Sequence, residues 1–161
     1  MMRTVCAIIA TLSLFVGGVP VAYAQDNPPP NSIAIISACI AQMPNGSARD
    51  ACFGKVVDAC MTDEPIIPVA CWQAEQEGWD SLLNTAYQSV IAEITDTIFE
   101  NHVRTAQRHW LEQTRLDCAL QVMSNPQTYG GLGTACLAEA TMKRVFFINS
   151  LKGATWEEIY R

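Results

Sequence analysis

The residues with the most chemical potential in this 161-residue chain are its seven cysteines. Thiols can bind metal, cycle between redox states or cross-link, and their spacing separates these uses. Zinc sites and thiol oxidoreductases favour close Cys-x-x-Cys pairs, and the chain contains none. His102 and His109 stand seven positions apart, about 10 Å along a helix, too far to share one ion. They read as surface histidines. Glu75 and Glu77, or Glu157 and Glu158, are close in sequence. On a helix, side chains one position apart diverge by about 100 degrees and those two apart by about 160, so neither pair would face one substrate. No Gly-x-Ser-x-Gly elbow, His-Glu-x-x-His pair or phosphate-cradling loop occurs. These spacings predict no enzyme, no cofactor and no metal site.

The remaining use is cross-linking, which requires an oxidising compartment. The N-terminus supplies the route. Arg3 gives a positive start, Val5 to Val16 is a short apolar run, and Ala22-Tyr23-Ala24 fits a small-x-small cleavage site. The run is shorter than the roughly 20 apolar residues a membrane span needs. Cys6 lies far from the cut and is a poor lipid-attachment site. Residues 1–24 are therefore expected to be a signal peptide, and the mature chain a periplasmic or secreted protein. Removing 24 residues from 161 leaves 137, the length of one domain. It also leaves an even set of six cysteines: Cys39, Cys52, Cys60, Cys71, Cys118 and Cys136. Loss of Arg3 sets 9 Lys and Arg against 16 Asp and Glu, a net charge of −7. Nucleic acid and anionic membrane would be repelled, whereas a cationic protein would be attracted. The charge also serves simply to keep an exported protein soluble. Oligomeric state is left open.

The elements that position the cysteines read as helices. Residues 25–31 (QDNPPPN) form a stiff, solvated lead-in. Ser32 is expected to cap a helix from Ile33 to Met43, ended by Pro44-Asn45-Gly46. Ser47 caps a second helix to about Met61, with Asp50 at the capping-box position. Pro65 and Pro68 bracket a break. A long helical pattern follows from Val69, with Leu82, Leu83, Ala86, Tyr87, Val90, Ile91 and Ile94 at helical spacing. A turn falls within Thr95 to Asn101. Val103, Ala106, Trp110, Leu111, Thr114 and Cys118 carry a second stripe, to about Met123. Ser124 to Thr134 (SNPQTYGGLGT) is a loop. Thr134 caps a last helix through Cys136, Leu137, Thr141, Arg144 and Phe147 to Leu151, and Gly153 ends it. With no series of strands, the expected fold is all-α: a small disulfide-stapled bundle of antiparallel helices. Residues 32–161 form one helical domain, comprising a Cys-rich part (32–71) and a second part (72–161).

Disulfide geometry limits the pairings. If Cys52 and Cys60 share one helix, eight residues separate them by about 12 Å, beyond the roughly 7 Å that a disulfide tolerates between Cα atoms. Cys118 and Cys136 would close the glycine loop. The other four pair as Cys39–Cys52 with Cys60–Cys71, or as Cys39–Cys60 with Cys52–Cys71. The first is favoured because each bridge clips a local turn.

Trp79-Asp80-x-x-Leu83-Asn84-x-x-Tyr87, Ala106-Gln107-Arg108-x-Trp110, Arg115-x-Asp117-Cys118, the loop to Cys136, Thr141-x-x-Arg144 and a closing Leu151 follow one another in order. In this pattern residues 79–151 resemble the LprI-like family, which takes its name from a lysozyme-inhibitor lipoprotein and is also described as DUF1311. Thr114 departs from it, standing where the family usually has an aromatic. Residues 39–71 look like an extension found in part of the family. The resemblance implies an inhibitor of lysozyme-type muramidases, with a cationic lysozyme-type enzyme as partner.

Taken by themselves, the same residues form a polar set on helix faces. Asn84, Tyr87, Gln107, Trp110, Arg115 and Arg144 could meet between three helices, with Asp80 and Asp117 available to the arginines. A buried guanidinium needs acceptors around its five donors. A network that fixes helix register is the plainer reading, and ligand binding the alternative. The loop is a second candidate. Held at its base by Cys118–Cys136, it carries Asn125, Gln127 and Tyr129; a tethered loop loses less entropy on docking, and tyrosine brings contact area with few rotors. As a plain connector it would do nothing more. The competing function is a non-enzymatic structural or accessory protein of the cell envelope.

Overall fold

The computed structural model describes residues 31–43, 50–60, 68–125 and 131–154. The proposed signal peptide, most of the lead-in, the Ser47 cap, Gln127, Tyr129 and the tail from Thr155 lie outside them. The described chain is all-α, with five helices: α1 (Ser32–Gln42), α2 (Lys55–Cys60), α3 (Pro68–Glu93), α4 (Thr97–Ser124) and α5 (Leu132–Ser150). None is long and apolar enough to cross a membrane.

Helix ends follow local chemistry, with corrections to the sequence reading. The α1 cap is Asn31, whose Oδ1 accepts from the Ala34 amide at 3.2 Å; Ser32 is the first helical residue. Residues 50–52 form a single 3₁₀ turn and α2 begins only at Lys55, so Cys52 and Cys60 do not share a helix. Asp96 starts α4, accepting from the Ile98 and Phe99 amides at 2.7 and 3.0 Å. Thr134 lies inside α5, whose cap is Gly131 at φ 104°. That left-handed backbone favours glycine, and a Cβ there would stand 3.0 Å from the Trp72 ring.

The largest interface is between α3 and α5. Trp79, Leu83, Ala86 and Val90 of α3 recur at four- and three-residue steps, matched by Ala138, Met142, Val145 and Ile148 of α5. Trp79 is fully buried, its ring edge-on to Phe146 at 5.9 Å. Gly131 lies beside Val69 and Trp72, and Phe146 beside Trp79, so α3 and α5 run parallel. α4 returns antiparallel to α5: Cys118 meets Cys136 and Gln107 meets Arg144. The antiparallel expectation therefore holds for α4 and α5, while the principal contact joins a parallel pair.

Because α5 contacts both α3 and α4, it is apolar around much of its circumference, and one stripe cannot be picked out by period alone. Of the residues the sequence assigned to that stripe, only Thr141 is buried; Phe147 is 48% exposed. On α4 the expected stripe is closer: Val103, Thr114 and Cys118 are buried and Trp110 half-buried, but Ala106 and Leu111 are exposed.

The Cys-rich helices share this core. Ile36, Cys52 and Val56 are buried in the cluster that contains Trp79. Gly78 permits the close approach of α1, since a Cβ there would fall 2.7 Å from Ser32 Cβ and 2.8 Å from Ile36 Cδ1. Three bridges fasten the arrangement: Cys39–Cys52, Cys60–Cys71 and Cys118–Cys136, with Cα separations of 5.7, 5.7 and 5.6 Å. This is the pairing favoured from local turns. The distance premise that excluded Cys52–Cys60 does not apply, because Gly54, at φ 83°, separates the 3₁₀ turn from α2.

Candidate functional site

Arg144 organises the polar contacts between α4 and α5. Its Nε donates to Gln107 Oε1 at 2.8 Å. The guanidinium carbon stands 5.3 Å from the Trp110 ring centroid and 4.7 Å from that of Phe147, within cation–π range. Nη2 is buried and has no hydrogen-bond partner among the described residues. Desolvation pushes the Arg144 pKa below its ordinary value. No described carboxylate forms an ion pair with it.

The rest of the expected polar set does not join this centre. Asn84 donates to Asp80 at 3.2 Å on the exposed face of α3. Asp117 accepts from Gln113 at 2.8 Å on the exposed face of α4, where Arg115 is also exposed. Both carboxylates are thus engaged with i,i+4 neighbours on their own helices. Tyr87 is half-buried against the core. Its polar neighbour across the bundle is Arg104, whose pKa is raised first by the hydrogen bond to Glu100 and further by Tyr87. The structure therefore unites Gln107, Trp110 and Arg144, and leaves Asp80, Asn84, Tyr87, Arg115 and Asp117 apart from them.

The most enclosed polar side chain among the described residues is Glu75, which lies on the long helix expected from Val69 and for which the sequence suggests no partner. It is fully buried. Oε1 accepts from Trp79 Nε1 at 2.6 Å and from the Gly54 amide at 3.2 Å. Oε2 accepts from the amides of Val56 and Val57 at 2.8 and 3.3 Å. These amides open α2, where the first turn of a helix lacks internal acceptors, so Glu75 fastens the Cys-rich segment to α3. The signal was in the sequence: Glu75 sits four residues after Cys71 and four before Trp79, in phase with residues that face the core.

Asn125 closes α4, its backbone amide donating to the Val122 carbonyl. Its side chain donates to the Gln121 carbonyl and to Ser124, so the described end of the candidate loop is internally bonded. The base of that loop is fixed by Cys118–Cys136. His102 and His109 are both exposed on α4. Among the described residues, no group of three or more His, Cys, Asp or Glu side chains could hold a metal ion.

What these contacts can do is position and bind: a desolvated guanidinium between two rings, a buried carboxylate saturated with donors, and a cross-linked loop base. Neither curated proteins nor solved structures give a match to the chain. A family model does: the one described as Lysozyme inhibitor LprI matches residues 59–147. That span begins twenty residues before Trp79, so it takes in Cys60–Cys71 and leaves Cys39 and Cys52 outside. It also includes Glu75, Gln107, Trp110, Arg144 and the Cys118–Cys136 bridge. The chain belongs to the lysozyme inhibitor LprI family.

Proposed function

We propose that this chain is an exported, non-catalytic inhibitor of lysozyme-type muramidases. The observation that carries the reading is the family match over residues 59–147. Six bridged cysteines support export, because such a framework persists in an oxidising compartment. The net charge of −6 for the whole chain favours encounter with a cationic enzyme.

In this reading the contact is made by the segment between Cys118 and Cys136. The bridge fixes both ends of the segment, which lowers the entropy lost on docking. Gln127 and Tyr129 offer hydrogen bonds to the catalytic carboxylates of a glycan-cleaving enzyme, and Tyr129 adds contact area; Asn125, whose side-chain amide donates to Gln121 and Ser124, closes α4 at the foot of the loop. The polar cluster at Arg144 holds α4 against α5 and so sets the platform from which the loop departs. The test is the double variant Gln127→Ala/Tyr129→Ala. It should retain the parent's helical spectrum and lose at least tenfold in inhibition of a c-type lysozyme. Equal inhibition by parent and variant would leave the loop a connector.

A further inference from the structure

Among the described helices, only α5 packs extensively along α4. The buried residues of α4, Phe99, Val103, Thr114 and Cys118, lie on the side turned to the bundle. On the far side Arg108, Glu112, Arg115 and Ala119 recur at steps of four, three and four residues, and all are exposed. Leu111 and Leu116 flank this row, 41% and 56% exposed. Of the seven exposed large apolar side chains among the described residues, α4 carries five, so this helix is where the chain has apolar surface left to bury. Glu112 and Arg115 stand three positions apart, yet neither forms an ion pair within the described chain.

The order of residues on this face is self-complementary. A second copy of α4 can lie antiparallel to the first, with the twofold axis level with the midpoint between Gln113 and Thr114. Glu112 of each copy then stands level with Arg115 of the other, and Leu111 level with Leu116. Arg108 stands level with Ala119, whose small side chain leaves room for it. A parallel, in-register pair would instead set Glu112 against Glu112 and Arg115 against Arg115. Net charge permits the approach as well. Arg104, Arg108 and Arg115 balance Glu100, Glu112 and Asp117, so α4 is neutral in a chain of net charge −6. A cationic partner would be drawn elsewhere, to residues 56–103, which hold nine Asp and Glu and no Lys or Arg.

We propose that the far face of α4 is a homodimer interface, joining two copies of this chain through antiparallel α4 helices. Two Glu112–Arg115 ion pairs cross the twofold axis, and Leu111 and Leu116 of each copy lose solvent against the other. The interface is isologous and therefore closed at two copies. One pair of helices covers less than the about 800 Å² per partner of a standard interface, so the dimer is reversible, with a Kd on the order of 100 µM. This goes beyond inhibition and does not depend on it.

The test is sedimentation equilibrium of oxidised residues 25–161 at concentrations spanning about 10 µM to 1 mM. The parent should pass from monomer to dimer over that range and form nothing larger. Glu112→Arg and Arg115→Glu, each alone, should weaken the dimer at least tenfold, because each sets like charges level with one another. Both positions are exposed, so the helical spectrum should not change. The two changes combined in one chain should restore a Kd within threefold of the parent's, and the two single variants mixed should pair with each other. A parent that stays monomeric at the highest concentration would overturn the proposal, and would give the face to a membrane if the same sample cosediments with phosphatidylglycerol vesicles. A dimer indifferent to the single changes would also overturn it, as would a double variant no tighter than the singles.

Discussion

Trp79 Nε1 donates to Glu75 Oε1 at 2.6 Å, one turn earlier on the same helix, and both side chains are fully buried. The indole thereby fixes one carboxylate oxygen while the other receives the amides that open α2. Truncation to Glu75→Ala would strand several buried donors, each costing about 1–3 kcal/mol. We expect a loss of at least about 3 kcal/mol in urea unfolding, against under about 0.5 kcal/mol for the exposed neighbour in Glu77→Ala. Equal effects of the two changes would show that the buried carboxylate is not an anchor.

Gly78 is expected to be intolerant for a purely steric reason. A methyl group there would meet Ser32 Cβ at 2.7 Å and Ile36 Cδ1 at 2.8 Å. Gly78→Ala should displace α1 from α3 and cost about 1–3 kcal/mol. Hydrogen exchange should locate the loosening in residues 32–42. Uniform exchange across the bundle would contradict this assignment.

The Gln107–Arg144 hydrogen bond predicts a measurable coupling. In a double-mutant cycle of Gln107→Ala and Arg144→Met, the interaction should be about 1 kcal/mol, modest because the guanidinium is only partly buried. Additive single effects would remove Gln107 from the account of how α4 is held.

How far the sequence revealed these features depends on the range of each interaction. Helix identity was legible because apolar positions such as Leu83, Ala86 and Val90 keep the helical period, and because residues 124–134 concentrate proline and glycine. The disulfides were legible because each bridge joins elements adjacent in sequence, with the paired cysteines 11 to 18 positions apart. The polar set was less so. Asp80–Asn84 and Gln113–Asp117 satisfy themselves at i,i+4, and sequence alone does not reveal that such pairs turn outward. Glu75 was overlooked because its partners at Gly54, Val56 and Val57 lie 18 to 21 residues away. The α5 stripe was misassigned because two helices pack on that one element.

The Cys118–Cys136 bridge closes a separation of 18 residues, for which chain entropy suggests about 3 kcal/mol of stabilisation. Cys118→Ser/Cys136→Ser should lower stability by about that amount and, on the proposed mode of action, weaken inhibition further by freeing the loop. Inhibition unchanged at a temperature where the variant stays folded would separate the bridge from function.

Inhibition is measured by adding purified, oxidised residues 25–161 to a c-type lysozyme clearing bacterial cell walls at two salt concentrations. Inhibition is expected at sub-micromolar protein and should weaken at the higher salt, because acidic steering of a cationic enzyme is screened. A well-folded sample that leaves clearing unaffected at either salt concentration would contradict it.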